Sequence, residues 1–185
     1  MARQPPKDER PYHFATQGID TKATVTIQPS TVEAWISRVW ASYLRDAEKK
    51  LVGLDTEFTN PVFGKRQKDL PKEQKQRAAV LQLCVANECL VYHIVHASHE
   101  RVEIPKNVCT KPTPSLIDLA NYLLGTKFSK DGECEKLRRS GWGVFPLTLE
   151  RIRYAAVDAR LSFEVARRHF RSGCYDRPGD RLNLA

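Results

Sequence analysis

Two pairs of residues in this chain have the types and spacing needed for metal-assisted chemistry. Asp55 and Glu57 stand two apart in Leu51-Val-Gly-Leu-Asp-Thr-Glu-Phe58, a short apolar run that reads as a strand. A period of two puts both carboxylates on one sheet face. Two carboxylates aimed at one point repel unless a cation lies between them, and hard divalent ions such as Mg²⁺ or Mn²⁺ take oxygen ligands. The plainer alternative is an acidic surface dipeptide. Tyr154 and Asp158 are four apart in a stretch of helical periodicity, hence on one face. Asp158 sits in Ala155-Ala-Val-Asp-Ala-Arg-Leu161, where a charge is costly unless paired or coordinated. Here the plainer alternative is a surface aspartate facing Arg153 or Arg160, with a core tyrosine one turn earlier.

Elements able to position these residues are legible along the chain. Residues 1–11 are polar and proline-containing, and are expected to be a loose N-terminal segment. Tyr12 to Ile27 resembles a hairpin, with Gly18 and Asp20 at its turn and Ala23, Val25 and Ile27 alternating. Ser30 and Glu33 have capping-box spacing before an apolar stripe of Val32, Trp35, Ile36, Val39 and Leu44, which predicts a helix to about Lys49. Residues 78–86 and 89–95 read as two strands joined at Asn87-Glu88. Ser115 to Leu124 reads as a helix, with Asp118 in its first turn and Gly125 ending it. From Thr148 to about Arg171 the spacing predicts a long helix burying Ile152, Ala156, Ala159, Phe163, Ala166 and Phe170. The tail from 172 to 185 is expected to be irregular.

Composition bounds the partners. The chain has 185 residues, so one domain is expected, and 41% hydrophobic residues suffice for a core. A net charge of +8 suits a polyanion such as nucleic acid, although a basic solvated surface accounts for it equally well. The basic loop with Lys65, Arg66 and Lys68, and the pair Arg138-Arg139, are candidate phosphate contacts. The five cysteines lack Cys-x-x-Cys spacing, which favours free thiols over a zinc site or a disulfide scaffold. No apolar run is long enough to span a bilayer and no secretory signal is visible. Nucleus or cytoplasm is the expected location, with no membrane partner.

The two carboxylate-bearing pieces, in this order, resemble the first and last motifs of the DEDD-type 3'-5' exonucleases in their tyrosine-containing version. More narrowly, LVGLDTEF (51–58), AAVLQLC (78–84), SLIDLANYLLG (115–125) and WGVFPLTLERIRYAAVDARLSFEVARR (142–168) resemble the Werner-syndrome-like exonuclease domain, including its plant relatives. The resemblance spans most of residues 12–171. It implies an α/β, RNase H-like three-layer fold with a mixed central sheet. It also implies Asp55, Glu57 and Asp158 as metal ligands and Tyr154 as the residue that positions the attacking water. Gln82 and Trp142 match positions that support packing or substrate placement. The implied activity is two-metal hydrolysis of DNA or RNA from the 3' end, releasing 5'-mononucleotides and using Mg²⁺ or Mn²⁺.

The chain departs from that family in its middle. A strand and a helix carrying a further metal-binding aspartate should fall between His96 and Ser115, yet HASHERVEIPKNVCTKPTP contains no aspartate. Asp118 falls in the following helix, where a capping role is the plainer reading. One strand-helix unit is therefore expected to be missing beside the Asp55 strand. The sheet must close over the gap, leave an edge exposed, or borrow a strand by self-association. Two functions follow: a working exonuclease with a reduced site, or a catalytically silent module that binds nucleic acid or protein.

Overall fold

The computed structural model describes residues 11–16, 18–60, 69–71, 75–97, 116–127, 136–137 and 140–169. Within them, strands β1 (Tyr12–Thr16) and β2 (Ile19–Thr26) form the expected hairpin, with Thr16 opposite Ile19 and Gly18 at a φ of 76°. Helix α1 (Pro29–Val39) and a π-helical turn (Trp40–Leu44) follow. Then come β3 (Gly53–Phe58), β4 (Ala78–Val85), β5 (Glu88–Tyr92), α2 (Leu116–Leu124) and α3 (Leu149–His169). The strands form one mixed sheet in the order β1-β2-β5-β4-β3, parallel only between β2 and β5. The α/β class and mixed sheet expected from the sequence are both observed. No described helix is long and apolar enough to cross a membrane.

Three local expectations differ from the structure. Ser30 is not a cap: α1 begins at Pro29, with Gln28 at the N-cap position and no side-chain cap bond. Proline at the first helical position supplies the start, because its fixed φ is already helical and it has no amide to orphan. The apolar stripe ends in a wide turn, with Arg45 N–H donating to the Trp40 carbonyl at 2.9 Å, rather than in regular helix to Lys49. The β4–β5 connection is the two-residue turn Ala86-Asn87, with Ala86 at a φ of 53°. Glu88 thereby becomes a strand residue, bound by Lys22 at 2.7 Å and Arg38 at 3.1 Å.

The sheet is covered by α1 on one face and α3 on the other. Cys84 and Cys89 are cross-strand partners with free thiols, buried on the α3 side, where Cys89 Sγ lies 3.4 Å from the Ala156 carbonyl. Glu88 faces the α1 side, as its pairing with Arg38 shows. Trp35 and Val39 of α1 and Ala155, Ala156, Ala159 and Phe163 of α3 belong to one buried cluster through the sheet. On its flank, α3 packs Val157 and Leu161 against Ala120 and Leu124 of α2. Burial on two sides explains why α3 shows a broader apolar surface than a single stripe. Gly125, at a φ of 68°, follows α2 as a C-terminal cap glycine.

At β3 the layering is incomplete. This strand ends the sheet, and among the described residues only β4 pairs with it. Its α3-facing residues are covered, whereas Leu54 and Phe58 on the opposite face are 58% and 48% exposed.

Candidate metal centre

Close contact between α3 and β3 builds the site. Gly53 opens β3, and a Cβ there would collide with the Ala159 carbonyl and lie within 2.6 Å of Phe163 N. Glycine on the strand and alanine on the helix let the two backbones approach within the reach of short side chains. The contact is tied by Leu54 N–H, which donates to Ser162 Oγ at 3.4 Å. Asp55 and Glu57 then project from the same face as Gly53, toward α3, where Asp158 meets them. One ligand oxygen from each of Asp55, Glu57 and Asp158 lies within 4.8 Å of the others.

Burial and neighbouring charge shift the chemistry of the groups gathered here. Burial, and then the nearby Asp55 charge, push the Asp158 carboxyl up to about 7, partly offset by a hydrogen bond from the Tyr154 hydroxyl. Burial also raises Asp55, against the lowering effect of a hydrogen bond from the Thr56 backbone. Tyr154 is pushed well above the ordinary phenol range by burial and by the adjacent carboxylates, Asp158 foremost. It therefore stays protonated and acts as a hydrogen-bonding group rather than a base. Among the four, Glu57 is the most buried, at 7% exposed. An all-oxygen donor set under mutual repulsion fits a hard divalent cation, which would relieve the repulsion and let Asp158 ionise. Arg160 instead pairs with Glu164 at 2.7 Å, and Arg153 bonds Thr16 Oγ1 at 3.0 Å.

The remaining predicted positions divide sharply. Gln82 is fully buried on β4, directly opposite Asp55 in the strand register. Trp142 is fully buried, its ring centroid 6.0 Å from that of Tyr154. Lys65, Arg66, Lys68, Arg138 and Arg139 lie outside the described residues. So do Cys109, Cys134, Cys174, Phe170, residues 1–10 of the N-terminal segment and the C-terminal tail. Asp118 lies in α2, with its side chain outside the described residues.

In sequence, no family model and no curated protein matches the chain. In structure it is similar to the EXO domain of Nibbler from Aedes aegypti. The identity is 12% and the TM-score 0.48, over 81% of this chain and 90% of that one.

Two histidines brace the site and escaped the sequence reading. The loop after β5 carries His93 and His96, and their ring centroids are 4.6 Å apart. His93 Nε2–H donates to the Trp142 carbonyl at 2.7 Å, and His96 Nε2–H to the Gly143 carbonyl at 2.9 Å. Burial lowers His93 to about 4, so it is neutral and keeps one ring nitrogen as acceptor. From the other side, Gly141 N–H donates to Asn60 Oδ1 at 2.8 Å, and Arg151 binds the Ser140 carbonyl at 3.0 Å. The segment that packs Trp142 on Tyr154 is thus held from β5, from the end of β3 and from α3. Its one sequence signal was two histidines three apart after an apolar strand, which has no meaning without the fold.

Proposed function

We propose that this chain is a divalent-metal-dependent 3'-5' exonuclease, with Asp55, Glu57 and Asp158 as the metal ligands and Tyr154 beside them. The observation that carries this reading is the convergence of three carboxylates from β3 and α3 on one point. Mg²⁺ or Mn²⁺ bound there would supply charge neutralisation and an acidified water for phosphodiester hydrolysis. Tyr154 gives its proton to a hydrogen bond with Asp158, which leaves a phenolic lone pair to accept from and orient the attacking water. Trp142 packs on the Tyr154 ring, the His93 bond holds Trp142's own carbonyl, and the His96 bond holds the next one, of Gly143. The basic segments carrying Lys65, Arg66, Lys68, Arg138 and Arg139 would supply phosphate contacts.

A second reading is a catalytically silent nucleic-acid-binding module. It is favoured by the cluster holding three carboxylates among the described residues, without a further aspartate, on a strand that ends its sheet. Loss of a transition-state electrostatic contact commonly costs orders of magnitude in rate. The deciding experiment titrates Mg²⁺ and Mn²⁺ into assays of 3'-labelled DNA and RNA, with Asp55→Ala alongside. Metal-dependent shortening that disappears in the variant supports the enzyme. Binding without product, unchanged by Asp55→Ala, supports the silent module.

A further inference from the structure

Gln82 combines three properties that do not belong together in an ordinary core residue. It is wholly buried, and among the described residues neither Nε2 nor Oε1 has a hydrogen-bond partner. It sits on the α3-facing side of β4, between the buried apolar residues Val80 and Cys84 of the same face. It also stands directly across the strand pair from Asp55. An unpartnered buried amide is destabilising, because it gives up its hydrogen bonds to water and gains none in return. An apolar side chain of equal volume would fill the same space without that cost. Such a residue is the kind of local inconsistency that marks a functional constraint.

Asp55 supplies the matching demand. Its carboxylate is largely desolvated and accepts from the Thr56 backbone, but a carboxylate has room for about four hydrogen bonds. Directly opposed side chains on one face of an antiparallel pair have Cβ atoms about 5 Å apart. A glutamine amide spans that gap by rotating about its own side-chain torsions. The register therefore sets the amide opposite the carboxylate on the same sheet face.

We propose that Gln82 is a positioning residue for the metal centre, whose Nε2 donates to the Asp55 carboxylate when the triad holds a divalent cation. The bond fixes which Asp55 oxygen is presented to the ion. This inference rests on the reading of the triad as a metal site. Supporting groups of this kind typically change metal affinity by about tenfold to a hundredfold.

The test compares the native chain with Gln82→Met, which keeps the volume and removes the amide, and with Val80→Ala as a packing control. Gln82→Leu serves as a second amide-free variant should the methionine chain not fold. Mn²⁺ affinity is measured by isothermal titration calorimetry, and metal-free Tm by circular dichroism. The expected result for Gln82→Met is a Mn²⁺ Kd weakened about tenfold or more, with a metal-free Tm equal to or above native. Val80→Ala is expected to lower Tm and leave Kd within about twofold. Unchanged Mn²⁺ affinity in the amide-free variant would overturn the role of Gln82 alone. Failure of the native chain to bind Mn²⁺ would overturn both this inference and the metal-site reading.

Discussion

Replacing Asp158 with asparagine tests whether the carboxylate triad is electrostatically strained without a cation. The Asp158 carboxyl is pushed from 3.8 up to about 7, first by burial and then by Asp55. At ~1.4 kcal/mol per pH unit, its ionised form is disfavoured in the fold by on the order of 4 kcal/mol. A carboxyl raised in this way holds its proton longer folded than unfolded. Its contribution to stability is fully present below pH 3.8 and is lost as pH rises through about 7. Asparagine suffers no such loss. The Asp158→Asn gain in the presence of chelator should therefore be larger near pH 8 than near pH 5 by about 2–3 kcal/mol. For a chain of this size that is roughly 5–10 °C in Tm. Thermal unfolding followed by circular dichroism at the two pH values reads the difference directly. Added Mn²⁺ should then raise the Tm of the native chain near pH 8 by more than that of the variant. An equal gain at both pH values, or a loss near pH 8, would refute the argument that burial and like charge govern this residue.

Two further outcomes follow from the same geometry. Gly53→Ala forces a Cβ into the Ala159 carbonyl and Phe163 amide of α3, so it should cost about 1–3 kcal/mol and weaken Mn²⁺ binding by moving Asp158 away from β3. Gly143→Ala, whose Cβ would meet Thr59 Cγ2 at an ordinary 3.4 Å, is the control, and equal Tm losses in the two would contradict the close-approach account. His93 is lowered from 6.5 to about 4 by burial, so its contribution is present above pH 6.5 and is lost as pH falls through about 4. In the Asp158→Asn background, where the opposing dependence of Asp158 is gone, His93→Gln should lower the slope of Tm between those values, and an unchanged slope would exclude a contribution from His93.

The parts of this molecule that depend on local periodicity were legible in its sequence. Asp55 and Glu57 share a face because a strand alternates, and Tyr154 and Asp158 because a helix turns every 3.6 residues. Meeting of the two pairs depends on Gly53 against Ala159, which no spacing rule reveals. The α1 start misled because Ser30 and Glu33 have cap spacing, yet Pro29 sets the first turn by its backbone alone. Arg160 and Glu164 are charged residues one helical turn apart, yet both are buried as an ion pair, joined by Arg167 at 2.7 Å. Such burial is decided by what lies across from a residue. The clasp from His93 and His96 to Trp142 and Gly143 joins segments nearly fifty residues apart, beyond any motif window.

The position of β3 at the end of the sheet has a consequence for how the centre opens and closes. A strand paired on one side has half the backbone anchorage of an interior strand, and such elements open locally at lower free energy than the core. Among the described residues β3 is paired on one side only, and it carries Asp55 and Glu57, while Asp158 rides on α3, which is packed on two sides. A cation bridging β3 to α3 would tie this end strand to a helix held on two sides, as a cross-link between two layers. Ion binding and local folding of the edge then become one equilibrium, and the affinity of the centre is set in part by the cost of keeping its own strand in place.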